Sequence, residues 1–563
     1  MPEPILEDQY TAARAYFLCV VGLLFIESAI HWPLYFLELR NRGKPVTISS
    51  KTHWQITTYL HKLATLPSLI PFVTDYTLPI ILRLLAFIGL NILWGYNSIE
   101  FSTDYKLYGW LTIANGGLAL LMASRTNLFA LVLRIPSPVI LLYHRWIGIA
   151  TVAHATTHFA LNVQRYIKTD QLADSFSNRR IQVGIMAWLA LAIMFLTSLN
   201  FIRRRFFEAF YYSHALFFVF VVGALVHATK GPEFLLPGLL LWGVDRAIRF
   251  WDNFRRVEAK SITTLSGDVT KFTIEGRQVT HPGQIAWVQI PGVSFLNWHP
   301  FTVASAPGQE HAVFAIRGLG GYTKRLNHLA MDNNIDSTKK MSTSSAEPDK
   351  SSSIMPTSVS NTSVTTDKPL KIRVDGPYGV GGTRWGLYPV TVLVAGGIGI
   401  TPGISIATHI IQRALFARDS QHSTDSRQNW HIHLLWVLKD IKHTSWFAEE
   451  LQKLSELAAN PDVPVTFNIT IHITGSAASS AQMEESIEMG SESPFKYVGP
   501  GVVVNGRPNL KMWFEDVKRQ RSGLEAVVSV CGPRSLMNGA RKSAAEVSTV
   551  DGHFHVEEET FEL

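Results

Sequence analysis

Five imidazoles lie where a polar side chain is hardest to keep. The apolar stretch HRWIGIATVAHATTHF holds His144, His154 and His158, and FEAFYYSHALFFVFVVGALVHAT holds His214 and His227. Ionisable groups at membrane depth are costly and face a cavity, a partner or a cofactor. Neutral imidazole is also a common axial ligand for haem iron. His144 and His158 are fourteen residues apart, about 21 Å of rise and nearly four whole turns, so both rings leave one face of a straight helix. His214 and His227, thirteen apart, match that depth at about 20 Å but fall some 140° out of phase on an ideal helix, a mismatch that calls for a kink or a change of winding. Two pairs at two depths read as axial ligands of two stacked haems. A single membrane histidine is more often a packed, hydrogen-bonded group, and His154, with no partner at its depth, takes that reading. Gly148 and Gly223, each four residues from a ligand, would let a flat macrocycle approach the backbone. Glu27 and His31 read as polar groups of the bundle interior.

A second chemistry-bearing stretch is VLVAGGIGITPGISI, which sets Gly396, Gly397 and Gly399 where a buried strand turns into a helix. Glycine there lets backbone amides approach a pyrophosphate, which also gains from the positive end of the helix. The spacing is not GxGxxG, and glycine-rich turns often serve only tight packing, so the turn alone is weak evidence.

The elements that must position these residues follow from pattern. Runs of about 20 apolar residues fall near 13–37, 79–97, 108–124, 139–163, 183–202, 208–229 and 233–250, which puts the two ends on opposite sides of a membrane. Arg40, Arg42, Lys44, Lys51, Lys62, Arg125, Arg134, Arg203, Arg204, Arg205, Arg246, Arg249, Arg255 and Arg256 share one side, the cytosol by the positive-inside rule. Arg165, Lys168, Arg179 and Arg180 disagree, facing outward. The acidic start MPEPILEDQY argues for a retained first span rather than a cleaved signal. Cys19 and Cys531, the two cysteines, leave no disulfide framework and place the C-terminal half in a reducing compartment. The net charge of +7 comes without a basic stripe interleaved with aromatics, which excludes a nucleic-acid partner. From about residue 256, VTKFTIEG, QIAWVQIP, AVFAIRGL and KIRVDGPYG read as a small antiparallel barrel. From about 390, strands alternate with helices, as in a parallel sheet covered by helices. The Ser/Thr-rich segment 331–369 and the Ser/Glu-rich segment 475–495 read as disordered insertions.

NWHPFTVASAP and FAIRGLGGYTKRL precede the glycine turn and CGP follows it. In this order, and with the two histidine pairs at their unequal spacings, the chain resembles the ferric reductase and NADPH oxidase superfamily, most nearly a fungal ferric-chelate reductase, over roughly residues 79–563. The resemblance implies a multi-domain membrane protein: an all-α transmembrane bundle with haem-binding helices, then a cytosolic ferredoxin-reductase-like module of an antiparallel β-barrel FAD domain and an α/β NADP-binding domain. The implied boundaries are 1–255, 256–380 and 381–563. His299, Pro300, Phe301 and Thr302 match the HPFT/S flavin motif. Arg317, Tyr322 and Thr323 match the element that holds the FAD pyrophosphate, a role suited to the forked donors of arginine. Gly396, Gly397, Gly399, Thr401 and Pro402 match the NADPH pyrophosphate turn, and Cys531, Gly532 and Pro533 the segment beside the nicotinamide. Thr302 and Cys531 are the residues expected at the reacting centre. Lys439 stands where an arginine often binds the 2′-phosphate, and Phe561 in the terminal HVEEETFEL where an aromatic shields the flavin.

The expected cofactors are FAD, NADPH and two haem b. The expected course is hydride transfer to FAD, then single electrons to an inner haem on His144 and His214, to an outer haem on His158 and His227, and to a ferric or cupric chelate on the far face. Arg145 and Arg249 could pair with haem propionates, although snorkelling at the surface is the commoner role. Rival readings are an oxidase delivering the electron to oxygen as superoxide, and a metal transporter or proton channel with a regulatory nucleotide domain. The plasma membrane, with the N-terminus outside, is the expected location and the vacuolar membrane the alternative. Membrane lipid is one expected partner, and functional coupling to a metal permease or oxidase another.

Overall fold

A computed structural model describes residues 8–40, 78–95, 102–124, 137–253, 257–295, 297–343, 370–379, 385–419, 429–475, 501–521, 524–549 and 552–558, with single positions at 6, 132, 133 and 135. The chain divides into two compact units, one of residues 1–40 and 79–250 and one of 41–78 and 251–563.

The first unit is helical. Its longer helices are α1 (Gln9–Arg40), α2 (Leu78–Gly95), α3 (Tyr105–Leu121), α4 (Ser137–Lys168), α5 (Arg179–Ser198), α6 (Phe207–Ser213), α7 (Phe217–His227) and α8 (Pro232–Asn253), with six-residue helices at Leu172–Ser177 and Asn200–Arg205. Helix lies at each of the seven apolar runs, and α6 and α7 share one run, joined by a 3₁₀ turn at His214–Leu216. Among the described residues, Gln9–Ala29, Arg179–Ser198 and Phe207–His227 are long and apolar enough to cross a membrane. Leu107, Leu111, Leu118, Tyr143, Ile147, Val221 and Leu235 form part of one continuous core. Several polar groups inside it are paired. Glu27 meets Arg83 through two contacts, one of them at 3.0 Å. Tyr16 donates to Asn115 at 2.6 Å. The side chain of His31 lies outside the described residues.

The second unit holds two sheets. The first is antiparallel, in the order β4-β3-β6-β1-β2-β5, from β1 (Val257–Leu265), β2 (Val269–Glu275), β3 (Ile285–Gln289), β4 (His299–Thr302), β5 (His311–Arg317) and β6 (Lys371–Tyr378). β2 alternates buried and partly exposed residues, as one sheet face packed on a core requires. Helix α9 (Gly321–Thr343) covers it. That helix runs into the segment expected to be disordered from residue 331. Its first turns dock on the barrel through Leu326 and Ala330, and an established helix extends at little cost per residue. Residues 344–369 and 476–495, the remainder of both expected insertions, lie outside the described residues.

The second sheet is parallel, in the order β10-β9-β8-β7-β11-β12, from β7 (Val390–Gly396), β8 (Trp430–Leu438), β9 (Val465–Ile473), β10 (Val502–Asn505), β11 (Ala526–Cys531) and β12 (Phe554–Glu558). β7 and β11 are buried almost throughout, because helices α10 (Thr401–Asp419), α11 (Ala448–Ala459), α12 (Leu510–Gln520) and α13 (Arg534–Val547) cover the faces. After β7 the chain moves outward through β8, β9 and β10, then returns to the other side of β7 as β11. The crevice at the carboxyl ends of β7 and β11 is therefore the topological switch point where such sheets bind ligands.

Candidate functional site

The histidine pairs converge. The ring centres of His144 and His214 are 6.3 Å apart, and those of His158 and His227 are 6.2 Å apart. Two imidazoles bound to opposite faces of one metal ion by bonds of about 2.0 Å, with about 1.1 Å from each nitrogen to its ring centre, stand about 6.2 Å apart. The two pairs thus have the separation that axial ligation requires. Each pair would hold the iron of a haem, whose tetrapyrrole would supply the remaining donors.

Ring orientation agrees with this. Nδ1 of His144 lies 3.0 Å from the carbonyl of Ala119, Nδ1 of His158 lies 2.6 Å from that of Tyr105, and Nδ1 of His227 lies 2.9 Å from that of Arg180. A ligating histidine donates its other ring N–H in this way, which fixes the tautomer and turns Nε2 to the metal. Nδ1 of His214 is buried without a hydrogen-bond partner among the described residues. The phase problem of the thirteen-residue spacing meets a change of winding: the helix tightens to 3₁₀ geometry at His214–Leu216, and each such residue turns about 20° further than an α-helical one, so these three offset about 60° of the roughly 140° mismatch.

Two glycines that sequence reading passes over make room for the rings. A Cβ at Gly109 would stand 2.8 Å from Nδ1 of His158, and one at Gly184 would stand 2.7 Å from Nδ1 of His227. Gly148 has open space beside it, whereas Gly223 packs on Ala187 and so serves helix contact rather than a macrocycle. His154 is a packed group: Nε2 lies 3.0 Å from Oδ1 of Asn91, and the ring stacks on Tyr108. Arg249 is buried and paired with Asp245 at 3.2 Å, which departs from the snorkelling expected of it.

In the barrel, His299, Pro300, Phe301 and Thr302 constitute β4, paired with β3 from Ile285 to Val288. The Thr302 hydroxyl is buried and has no hydrogen-bond partner among the described residues, so it is free to bond a ligand. Tyr322 is buried, with its ring 4.1 Å from that of His299 and its hydroxyl accepting from the backbone N–H of Ile290 at 3.0 Å. Burial raises the Tyr322 phenol to about 12. Burial, with the Arg325 charge, lowers His299 to about 4, so that imidazole is neutral at pH 7. Thr323 accepts from the N–H of Gly320 at 2.9 Å and closes the turn that starts α9.

At the switch point, Gly396 ends β7 and Gly397 turns the chain with φ +58°. A Cβ at Gly399 would stand 2.5 Å from the carbonyl oxygen of buried Cys531, and one at Gly396 would stand 2.6 Å from Pro533. The glycine turn and the Cys531–Gly532–Pro533 segment therefore meet backbone to backbone. Trp436 donates to the carbonyl of Gly397 at 2.9 Å. Thr401 and Pro402 begin α10, and the Thr401 hydroxyl donates to Ile398 at 2.8 Å. Lys439 is exposed just beyond β8. Phe561 lies outside the described residues.

The flavin strand and the glycine turn are tied together by residues that no motif announces. The buried Ser405 of α10 donates to the carbonyl of Ser305 at 2.6 Å and accepts from Gly283 at 3.1 Å. Trp446 donates to Ser266 at 2.6 Å, and the Arg317 guanidinium lies 5.7 Å from the Trp446 ring centre. Their roles rest on partners roughly a hundred residues or more away, which local pattern does not carry.

Three family models match the chain in order: the ferric reductase like transmembrane component at residues 108–225, an FAD-binding domain at 254–381 and the ferric reductase NAD binding domain at 388–545. The first includes His144, His158 and His214 and ends just short of His227. NADPH oxidase 1 of Mus musculus is 24% identical over 67% of this chain and 66% of its own length. Ferric reduction oxidase 7, chloroplastic, of Arabidopsis thaliana is 27% identical over 65% of this chain and 46% of its own length. A superoxide-generating NADPH oxidase heavy chain of Dictyostelium discoideum is 25% identical over 67% of this chain and 69% of its own length. The chain thus spans less than two thirds of the mouse and Arabidopsis proteins. A transmembrane helical component with two convergent histidine pairs, an antiparallel FAD-binding barrel and a parallel NAD-binding sheet make this chain a transmembrane oxidoreductase of the ferric reductase and NADPH oxidase superfamily.

Proposed function

We propose that the protein is an NADPH-dependent transmembrane ferric-chelate reductase with the net reaction NADPH + 2 Fe(III) → NADP⁺ + H⁺ + 2 Fe(II), cupric chelates being a second acceptor. The observation that carries it is the pair of imidazole couples, 6.3 and 6.2 Å between ring centres, in one apolar helical unit. When bound, FAD converts a hydride into single electrons and two haems relay them across the roughly 30 Å hydrocarbon layer, more than one haem can bridge.

The residues divide the work. His144 with His214, and His158 with His227, would hold the two irons. Thr302 would bond the flavin ring within the His299–Thr302 strand, and Tyr322 positions that strand through its contact with His299. Arg317 and Thr323 would hold the FAD pyrophosphate. Gly396, Gly397, Gly399, Thr401 and Pro402 would receive the NADPH pyrophosphate, Lys439 its 2′-phosphate, and Cys531, Gly532 and Pro533 its nicotinamide. Phe561 is the proposed flavin shield. The division into 1–255, 256–380 and 381–563, the cytosolic placement of both nucleotide domains and a plasma-membrane location belong to the same proposal.

A second reading, superoxide production from oxygen, is favoured by the relatives named as NADPH oxidases. Purified protein given NADPH in air, with and without ferric citrate, separates the two. Superoxide formation that the chelate does not suppress would overturn the reductase assignment. A reduced-minus-oxidised spectrum with haem quantified per chain tests the cofactor set, and a preparation without Soret absorbance would refute it.

A further inference from the structure

The four cations that break the charge rule gather at the end of the bundle that carries the His158–His227 pair. Arg165 and Lys168 end α4, and Arg179 and Arg180 begin α5. Two of them are wired to that pair. Arg180 donates through Nε to the carbonyl of His227 at 2.6 Å, and its own carbonyl lies 2.9 Å from Nδ1 of the same histidine. Arg165 donates to the hydroxyl of Tyr105 at 2.6 Å, and the Tyr105 carbonyl meets Nδ1 of His158.

Ordinary structural reasons account for half of this set. Arg165 and Lys168 sit in the last turn of α4, where cations complement the helix dipole. Arg179 and Arg180 open α5, whose first turn holds no acidic residue, and cations are disfavoured at a helix N-terminus. All four are exposed. None makes an ion pair among the described residues. Between residues 165 and 180 the sequence holds two carboxylates, Asp170 and Asp174. Exposed cations without an ion pair among the described residues, two of them at an unfavourable helix end and one of those bonded to His227, call for an anion from outside the chain.

We infer that this connection is a docking collar for an anionic polycarboxylate chelate of a trivalent metal, with Arg165, Lys168, Arg179 and Arg180 as its cations. The inference rests on the proposed reductase reading and gives its acceptor a binding site. The collar concentrates chelate beside the outer pair, and ionic strength screens it because the cations face solvent.

The test uses full-length, haem-loaded protein in phosphatidylcholine nanodiscs and gallium(III) citrate, a redox-inert probe, in equilibrium dialysis. The doubly substituted Lys168→Gln/Arg179→Gln protein removes two charges and touches no hydrogen bond of a histidine ligand. Its expected affinity is roughly three- to tenfold below wild type, as loss of two exposed charge contacts implies, with a shallower salt dependence and an unchanged haem spectrum. KM for ferric citrate rises by the same factor while KM for NADPH stays put. Wild-type affinity in the double variant, or binding insensitive to salt, overturns the collar. So does failure of wild type to bind gallium citrate; in that case phosphatidylglycerol retained by wild type and not by the variant would identify a lipid headgroup site instead. Gallium citrate bound normally by a protein that reduces no ferric chelate would leave the collar standing and refute the reductase reading.

Discussion

Replacing Gly184 with alanine puts the proposed outer ligand set under a defined stress. The added methyl would stand 2.7 Å from Nδ1 and 2.8 Å from Cε1 of His227, whereas ordinary contact begins at 3.4 Å. The ring or helix α5 must therefore give by at least about 0.7 Å, which misaligns a bond of about 2.0 Å and strains the 2.9 Å contact from Nδ1 to the Arg180 carbonyl. Disturbing such an outer-shell partner lowers metal affinity by about 10- to 100-fold, or roughly 1.4–2.7 kcal/mol. The backbone cannot be the cause of a loss, because alanine is favoured over glycine inside a helix by about 1 kcal/mol. Haem per chain, measured as the pyridine haemochrome, should fall from two towards one, and a potentiometric titration should lose one component while the His144–His214 component keeps its potential. Gly89→Ala, where nothing lies within 4 Å of the new methyl, should keep both. If Gly184→Ala retains two haems at unchanged potentials, the steric reasoning and the His227 assignment both fail.

Thr302→Val should leave thermal stability close to wild type, since the hydroxyl has no protein partner to lose, yet slow flavin reduction by NADPH roughly tenfold, the worth of one hydrogen bond of about 1.4 kcal/mol. Stopped-flow traces indistinguishable from wild type would remove Thr302 from the flavin site. Lys439→Ala should raise KM for NADPH roughly tenfold or more, from about 1.5–3 kcal/mol for a charged hydrogen bond, with KM for NADH unmoved; equal effects on both nucleotides would exclude 2′-phosphate recognition. His433, in the middle of β8, is held to about 4 by burial and by the charges of Arg521 and His431, and its Nε2 is buried without a partner among the described residues. The unfolded ring takes up its proton near pH 6.5 and the folded ring only near 4, so stability should fall as pH drops through that window, by about 3 kcal/mol at its foot, and no further below it. Thermal melts of wild type and His433→Asn between pH 7 and 4 check this, and an equal acid loss in both would assign the loss to other groups.

The residues proposed to do chemistry are legible in the sequence because their types are scarce where they stand: imidazoles in apolar runs, HPFT before a glycine turn, CGP after it. Helix and strand type follow from period, and β2, β3, β5, β6 and the parallel strands β7, β8, β9, β11 and β12 come from runs with a clear apolar pattern. β1, β4 and β10 escape that reading. β4 carries proline and the flavin motif rather than an alternating pattern, and β10 is a four-residue edge strand whose pairing with β9 defines it.

What only the tertiary structure decides is how the imidazoles face one another. The fourteen- and thirteen-residue spacings set depth, but the 3₁₀ turn at His214–Leu216, the glycines 109 and 184 behind the outer rings and the carbonyls of Ala119, Tyr105 and Arg180 set direction. The same holds for Arg165 and Arg180, which charge counting treats as exceptions and which folding brings to the His158–His227 pair. A sequence records rise along a helix at 1.5 Å per residue, so it fixes which residues share a level. Contacts across helices depend on rotation and on which side chain is absent opposite a ring, and those are settled only when the helices pack.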